Sequence, residues 1–370
     1  MKQILREARI VLVCGKGGVG KTTLSAAAAL QVARTGRRTL VCTIDPARRL
    51  ANALGISKLA DAPRRLPAAA LRKAKLPETL ELYASMLDTK RVFDEVIQRH
   101  AGGPDAAQRI LDNPFYQLVS NYLTGSQEYM AVERLHQLHD EGKYECIVLD
   151  TPPSRHALDF LEAPRRITEF LESGFLGWIL RPTAETGIGF LRGAGRKLIS
   201  VVTKLLGSDL VHQVSDFFRA FEHMAPGFDE RAKQVRELLQ SDATAFLAVT
   251  TPTPRALAET RILVRRLHES GFPVRGVVFN RVACDWEAAP PRGRSREKPT
   301  PLPAELRPLL TTNFQQLQAL ARRDRAEIEA TLAELPPNLV RVLIPDHAVE
   351  VRTLAGLARL GRQLCAVGKA

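Results

Sequence analysis

The chain has 370 residues, of which 53 are Lys or Arg and 40 are Asp or Glu, so its formal net charge is +13. With 45% hydrophobic and 25% charged residues it has an average globular composition, which excludes a wholly disordered, collagen-like or low-complexity chain. No window reaches the roughly 18 uncharged apolar residues of a membrane span, and residues 1–9 lack the apolar core and cleavage site of a signal peptide. We therefore expect a cytoplasmic protein of one large domain or two smaller ones.

The five cysteines are widely scattered, with no CxxC pair and no Cys/His spacing typical of a metal site. This pattern predicts reduced thiols and no zinc. Cys14, Cys42 and Cys146 lie in or beside apolar runs, where a free cysteine behaves as a small buried hydrophobe. We expect these three to be part of the core.

The first predicted elements are a strand, a glycine-rich loop and a helix. The apolar run of residues 10–13 is followed by GKGGVGKTT and then by an Ala/Leu-rich helical segment. The spacing satisfies GxxxxGK[ST], in which backbone N–H groups and a helix N-terminus bind phosphate. We expect Lys21 to contact the β- and γ-phosphates of ATP, and the Thr22 hydroxyl to ligate Mg²⁺. The residues predicted to bind the nucleotide here are Gly15, Lys16, Gly17, Gly18, Val19, Gly20, Lys21, Thr22 and Thr23.

Lys16 is a second lysine in this loop, ahead of the glycine pair. It cannot easily reach its own γ-phosphate from the direction that Lys21 uses, whereas a nucleotide on a facing subunit is within its reach. GKGGVGKT resembles the signature of the deviant P-loop ATPases, the MinD, ParA, nitrogenase iron-protein and ArsA group. The resemblance implies an ATP-sandwich dimer in which Lys16 stabilises charge across the interface, as an arginine finger does.

Two further predicted strands each end in an acid. The strand at 39–44 leads to Asp45, and the strand at 144–149 leads to Asp150. Because doubly wound folds bind ligands at the carboxyl ends of their strands, Asp45 is a candidate for positioning the attacking water, and it could also cap the next helix. Asp150 fits a Walker B carboxylate that holds a Mg²⁺-bound water. The segment at 151–156 is a candidate switch that senses the γ-phosphate.

The middle of the chain is predicted to be mostly helical. A strand at 81–86 is followed by helical segments at 88–100, 104–122 and 128–140, and residues 160–240 then form a helical insertion. Within 192–214, basic residues alternate with Leu, Ile and Val at helical spacing. Two interpretations remain open: a helix packed on its own domain, or an apolar surface with a basic rim that receives a client helix or touches a membrane.

Strand and helix alternation resumes after this insertion. Strands are predicted at 243–250, 274–280 and 339–344, and helices at 254–270, 306–335 and 349–367. The alternation predicts an α/β fold, a doubly wound, mostly parallel sheet of P-loop NTPase type. The ATPase domain would comprise 1–159 and 241–370, with a flexible, basic, Pro-rich loop at 285–303.

Two features of the C-terminal part, Asn280 and the last helix, each allow two interpretations. Asn280 ends a strand on the ligand side, where its amide can pair with N6 and N7 of adenine, or it is simply a turn asparagine. The last helix is amphipathic and basic, and we favour packing against the sheet over binding to a membrane surface.

Taken together, the motifs resemble the ArsA family, which includes the arsenite-pump ATPase and the ATPase that delivers tail-anchored membrane proteins. The segment at 44–47 resembles its switch I, DTPPSRHAL at 150–158 its switch II, and VVFNRV at 277–282 its adenine-side strand. The resemblance makes Asp45 the hydrolytic acid and places Asn280, Pro345 and Asp346 beside adenine. It also makes the 160–240 insertion the client-binding subdomain.

The function implied by this resemblance is a Mg²⁺-ATP-dependent ATPase, either a homodimer or a heterodimer with a paralogous ATPase. Its nucleotide cycle would control a helical surface for a hydrophobic or membrane-protein client. The alternatives are an ATPase subunit of an arsenite or anion efflux system and a MinD- or ParA-like positioning ATPase. We expect no nucleic acid partner. We expect a cytoplasmic protein, either free in the cytoplasm or peripheral to the membrane.

Several residues depart from the family's patterns. Pro152, Ser154 and Arg155 alter switch II, Arg48 stands where a His is common, and Thr253 replaces a Glu that often contacts nucleotide across the dimer. The zinc-binding CxxC of the targeting ATPase and the clustered cysteines of the arsenite-pump ATPase are both absent from the sequence. A soft thiolate site is what As(III) requires, so this counts against the pump alternative.

Overall fold

The structure of the protein is a computed structural model, and it describes residues 1–44, 49–56, 59–114, 116–117, 126–151, 225–285, 303–347, 351 and 353–366. The predicted position of Asp45, switch II beyond Thr151, and most of the 160–240 and 285–303 segments lie outside these ranges.

A single eight-stranded sheet organises the described residues. Its strands are β1 (Ile10–Gly15), β2 (Thr39–Thr43), β3 (Arg64–Arg65), β4 (Leu82–Met86), β5 (Cys146–Asp150), β6 (Thr244–Thr250), β7 (Val274–Val282) and β8 (Val340–Pro345). They lie in the order β3-β4-β2-β5-β1-β6-β7-β8, and every neighbouring pair is parallel except β3 with β4. The predicted α/β fold of P-loop NTPase type is confirmed.

Helices connect these strands. They are α1 (Lys2–Glu7), α2 (Lys21–Ala33), α3 (Arg49–Leu54), α4 (Ala68–Lys73), α5 (Thr89–His100), α6 (Pro104–Leu111), α7 (Ser126–Asp140), α8 (Ala225–Gln240), α9 (Pro254–Glu269), α10 (Leu306–Glu334) and α11 (Leu354–Cys365). In the ranges that the structure describes, no helix combines the length and the apolar composition needed to cross a bilayer.

The core lies around the four central strands. Every residue of β1, β2, β5 and β6 is buried. Strands covered on both faces need apolar side chains on both, which is why they are continuous apolar runs in the sequence. Burial raises the pKa of the Cys14 thiol to about 11 and that of the Cys146 thiol to about 12. Both are buried free cysteines, as is Cys42, which confirms the prediction for these three.

The terminal helix packs on the domain, as favoured from the sequence. Its leucines at 354, 357, 360 and 364 are buried, and it contacts α2 and β8. The approach to α2 is close, because a Cβ at Gly361 would meet the carbonyl oxygen of Ala27. The helix begins at Leu354, later than predicted, because the Thr353 side chain caps it by accepting a hydrogen bond from the Gly356 N–H at 3.1 Å.

Other helical segments also differ from the sequence prediction. The helix predicted at 104–122 ends at Leu111, because Pro114 lacks an N–H and its ring disfavours helical geometry at Asn113. The two-residue strand β3 and the six-residue helices α1 and α4 were not predicted. Elements this short hold too few residues for a periodic pattern.

The chain forms two compact units. The first comprises residues 1–87, 138–158 and 239–370 and contains the whole sheet, and the second comprises 88–137 and 159–238. Residues 88–137 therefore group with the segment predicted as an insertion, where the sequence placed them in the ATPase domain. The physical reason lies in the second unit's own contacts: the Arg231 Nε of α8 is 3.1 Å from the Glu133 carboxylate of α7, and Glu133 is almost completely buried.

Candidate nucleotide-binding site

The glycine-rich loop follows β1, at the centre of the sheet between β5 and β6. A Cβ at Gly15 would collide with the carbonyl oxygen of Val249 in β6, so the strand end tolerates no side chain. Gly20, just before α2, has φ +97°, and a Cβ there would collide with the Asn280 side-chain amide. Gly18 also has a positive φ, +83°. The loop thus adopts a conformation that only glycine permits at these positions, which leaves its backbone open for close approach of a ligand.

Lys21 is the first residue of α2, and its side chain folds over the loop. Its Nζ donates a hydrogen bond to the Lys16 carbonyl oxygen at 3.0 Å, and the residue is buried. A cation is therefore held at a helix N-terminus inside a glycine-rich loop. Both features favour an anion such as a phosphate group.

Thr22 and Asp150, predicted to serve the same metal ion, lie together. The Thr22 Oγ1 donates to the Asp150 Oδ2 at 2.6 Å, and the Thr43 Oγ1 donates to the same oxygen at 3.1 Å. The sheet brings them there, because β5 lies between β1 and β2, with Asp150 in register with Val13 and Thr43. The oxygens of Thr22 and Asp150 are ligands that Mg²⁺ accepts.

Thr43 was missed in the sequence analysis. The signal that finds it is positional: it is the last residue of a strand that pairs with β5, and only the strand order shows that its partner is Asp150. A similar contact fixes the start of the predicted switch II, where the Thr151 Oγ1 donates to the Val13 carbonyl oxygen at 2.9 Å.

Lys16 contacts an acid of its own chain. Its Nζ lies 3.4 Å from the Glu259 Oε1 of α9, and each side chain is about a quarter exposed. The Arg255 Nε also approaches this oxygen, at 3.3 Å. Glu259 therefore has two cationic neighbours, and no local pattern in the sequence marks it as the partner of Lys16.

Asn280 lies against the loop. Its Nδ2 donates to the Val19 carbonyl oxygen at 2.8 Å, so β7 supports the loop through this amide. Pro345 and Asp346 follow at the same edge, since the Asp346 N–H donates to the Val282 carbonyl oxygen at 2.8 Å. A contact of any of the three with adenine remains a prediction.

A family model described as anion-transporting ATPase, ArsA_ATPase, matches residues 8–298. The chain belongs to the ArsA ATPase family. It is therefore an ATP-hydrolysing enzyme, and the glycine-rich loop is its expected nucleotide site. The resemblance noted in the sequence is thereby confirmed at the level of the family.

Relatives of this ArsA-family ATPase carry two kinds of name. It is 24% identical to the ATPase get3 of Schizosaccharomyces pombe over 291 residues, 78% of either chain. It is 26% identical to the putative arsenical pump-driving ATPase 1 of Aquifex aeolicus over 286 residues, 74% of this chain and 63% of the relative. It is 27% identical to the ATPase ASNA1 homolog 1 of Paramecium tetraurelia over 286 residues, 74% of either chain.

Proposed function

We propose that this ArsA-family ATPase hydrolyses Mg²⁺-ATP between two facing subunits, and that its nucleotide cycle controls a surface for a hydrophobic or membrane-protein client. The observation that carries the Mg²⁺-nucleotide part is the contact of Thr22 with Asp150 beside the glycine-rich loop. The second loop lysine, Lys16, supports the part played by a facing subunit.

The chain's own residues fit a Mg²⁺ nucleotide. The positive φ angles of Gly15, Gly18 and Gly20 give the loop a backbone conformation that other residues rarely adopt, and Lys21 supplies a cation within the loop. Thr22 and Asp150 supply hard oxygen atoms 2.6 Å apart. Bound Mg²⁺ would neutralise charge on the β- and γ-phosphate oxygens.

Lys21 and Thr22 would change partner when nucleotide binds, whereas Asn280 would not. Lys21 would exchange the Lys16 carbonyl oxygen for phosphate oxygens, and the Thr22 hydroxyl would turn from Asp150 to the metal. Asn280 would keep its bond to Val19 and so preserve the shape of the loop. Asp45 would orient the attacking water by accepting a hydrogen bond from it.

Lys16 would leave Glu259 and reach the nucleotide of the facing subunit. The pair is partly exposed, and such pairs contribute only about 0–1 kcal/mol, so the contact does not prevent this movement. A facing lysine would stabilise the charge that develops on the transferred phosphoryl group.

The client part rests on the family and on the predicted insertion, with its alternation of basic and apolar residues at 192–214. The name of the Aquifex relative points to the other alternative, a pump for arsenicals. As(III) requires several thiolates close together, whereas the five cysteines are scattered along the sequence, and Cys14, Cys42 and Cys146 are buried within strands of the sheet. We therefore favour a hydrophobic client over arsenite.

Steady-state hydrolysis by the purified chain tests this function, with and without Mg²⁺ and with and without arsenite. We expect a Mg²⁺-dependent rate that arsenite leaves unchanged, and the Asp45→Asn variant should bind ATP but hydrolyse it at least about 100-fold more slowly. Stimulation by arsenite would establish the pump alternative instead. Equal rates for wild type and Asp45→Asn would show that Asp45 does not take part in hydrolysis.

A second experiment tests the client. A fluorescent apolar helical peptide should bind to the protein with an affinity that differs between the ATP-bound and ADP-bound states, and an identical affinity in the two states would contradict nucleotide control.

A further inference from the structure

Strand β7 ends in an irregular stretch of backbone at the edge of the sheet where nucleotide is expected. Its register with β8 shifts after Phe279, and β7 has one residue more than β8 before Val282 pairs again. Such a bulge bends its strand and turns a side chain in a new direction, and bulges are frequent beside active sites. The two residues inside this bulge are Asn280 and Arg281.

Arg281 has a backbone conformation that favours glycine. Its φ is +57°, and among the described residues other than glycine only Lys75 also has a positive φ. In this region an L side chain brings its Cβ close to the following carbonyl oxygen, so glycine or asparagine adopts the conformation at a lower cost. The bulge therefore holds an arginine at a position where the backbone alone would favour another residue.

Contacts within the chain do not account for this arginine. Arg281 is exposed, and its side chain makes no hydrogen bond or ion pair with the residues that the structure describes. Its neighbour Asn280 differs, because the Asn280 Nδ2 donates to the Val19 carbonyl oxygen at 2.8 Å. Residues in costly backbone conformations cluster at ligand sites, where the side chain has a task. Arg281 is therefore a candidate for contact with a ligand.

The contact of Asn280 shows on which side of the glycine-rich loop the bulge lies. A loop of this kind directs its backbone N–H groups inward at the phosphates. Asn280 instead meets a carbonyl oxygen of the loop, that of Val19, and a Cβ at Gly20 would collide with its amide. The end of β7 therefore lies against the outer side of the loop. We expect the base of a nucleotide held by the loop, and not its phosphates, to lie near this strand end.

We propose that the guanidinium of Arg281 stacks on the face of the adenine ring of bound ATP. A guanidinium is planar and weakly hydrated, so it stacks on an aromatic ring better than the compact, strongly hydrated ammonium of lysine. The bulge would bring this side chain over the base. The inference deepens the proposed function and rests on its nucleotide site, because Arg281 would add a contact with the base to the contacts of the loop with the phosphates.

The test measures the affinity of the full chain for ADP and for a non-hydrolysable ATP analogue, by isothermal titration with Mg²⁺ present. The main variant is Arg281→Asn, which removes the guanidinium and leaves a residue that tolerates a positive φ. The matched control is Lys75→Asn: Lys75 is also an exposed cation with φ +56°, but it precedes the start of β4, away from the nucleotide edge. We expect Arg281→Asn to raise both dissociation constants about 10-fold, the scale on which base stacking contributes. Lys75→Asn should leave both unchanged.

A second variant, Arg281→Lys, separates stacking from attraction between charges. It keeps the positive charge but not the planar group, so we expect its affinity for both nucleotides to stay below that of wild type. Full recovery in Arg281→Lys would indicate a contact with phosphate and overturn the stacking. A loss confined to the ATP analogue would do the same, because ADP carries the same base.

Thermal unfolding followed by circular dichroism completes the test. Because asparagine tolerates the left-handed backbone, both asparagine variants should melt no lower than wild type. A lower melting temperature for Arg281→Asn alone would show that the guanidinium supports the fold, and would overturn the inference. Wild-type affinity in Arg281→Asn, or an equal loss in Lys75→Asn, would overturn the inference but leave the proposed function in place. A wild type that binds neither nucleotide would overturn both.

Discussion

The glycine-rich loop and the first half of α10 belong to the same edge of the sheet but differ in how much of their surroundings this chain supplies. In the loop region Lys21, Thr22 and Asn280 each have a hydrogen-bond partner within the chain. The large apolar side chains in the first half of α10, Leu306, Leu309, Leu310, Phe314, Leu317 and Leu320, are each between 38% and 58% exposed. The difference shows that the polar side chains of the loop already have partners within the chain, whereas the described residues leave the apolar side chains of the half-helix in contact with solvent.

The largest expected effect tests the preformed side of this comparison. Lys21→Ala removes the cation held in the loop, and it should weaken ATP binding by about 100-fold, since hydrogen bonds to charged groups contribute about 1.5–3 kcal/mol. Isothermal titration with ATP measures this. Lys73→Ala, which removes an exposed lysine of α4, is the control and should bind as wild type does. Equal affinity in the two variants would mean that Lys21 does not contact the nucleotide.

The next effect concerns the contact of Thr22 with Asp150. Thr22→Val removes the hydroxyl and should lower Mg²⁺-dependent hydrolysis by about 10- to 100-fold, the cost of a hydrogen-bonding group at a charged site. Thr22→Ser keeps the hydroxyl and should restore most of the rate. Titration of the rate with Mg²⁺ should show a raised half-saturation concentration for the valine variant alone. If the Thr22→Ser variant is as impaired as the Thr22→Val variant, keeping the hydroxyl does not preserve the rate, and the loss cannot be assigned to the oxygen.

A smaller effect is expected at Glu259. Glu259→Gln releases Lys16 from its ion pair, and it should raise hydrolysis by at most about fivefold, because partly exposed pairs contribute about 0–1 kcal/mol. Arg255→Gln is the matched control, since it leaves Glu259 to Lys16 alone and should not raise the rate. A fall in rate for Glu259→Gln, as large as for Lys16→Ala, would show that the acid holds Lys16 in its working position.

The last expected effect concerns the stability of the fold and leaves hydrolysis aside: it is the pH dependence that comes from a buried thiol. Burial raises the pKa of Cys14 to about 11, above the roughly 8.5 of a thiol in an unfolded chain. The folded state therefore binds more protons between these values, so this contribution to stability is complete below about pH 8.5 and is lost as the pH rises towards 11. The free energy of unfolding, measured with urea, should fall over this pH range more steeply for wild type than for Cys14→Ala. Identical slopes would contradict the raised pKa.

Much of the site could be predicted from local sequence, and the exceptions have physical causes. The motif GKGGVGKT predicts its loop because the residues that set the backbone conformation and those that would contact the ligand are neighbours in the sequence. The apolar runs that end at Thr43 and Asp150 predict strands because both faces of these strands are buried. The bond from Thr43 to Asp150 depends on strand order, and the Lys16 to Glu259 pair joins distant segments, so neither has a local signal. The sequence predicts α10 as one helix, but which of its residues are buried depends on the distant segments that it packs against, α9 and β7.

Complementation between two impaired variants tests the central claim most directly. Lys16→Ala should keep its own nucleotide site but lack the lysine for its partner, while Lys21→Ala should lose its site but keep Lys16. In a mixed dimer the site of the first chain is complete, because the second chain supplies Lys16. We therefore predict that the mixture, after subunit exchange, hydrolyses ATP well above the sum of the two separate rates. A mixture that gives only that sum would contradict a site completed by a second copy.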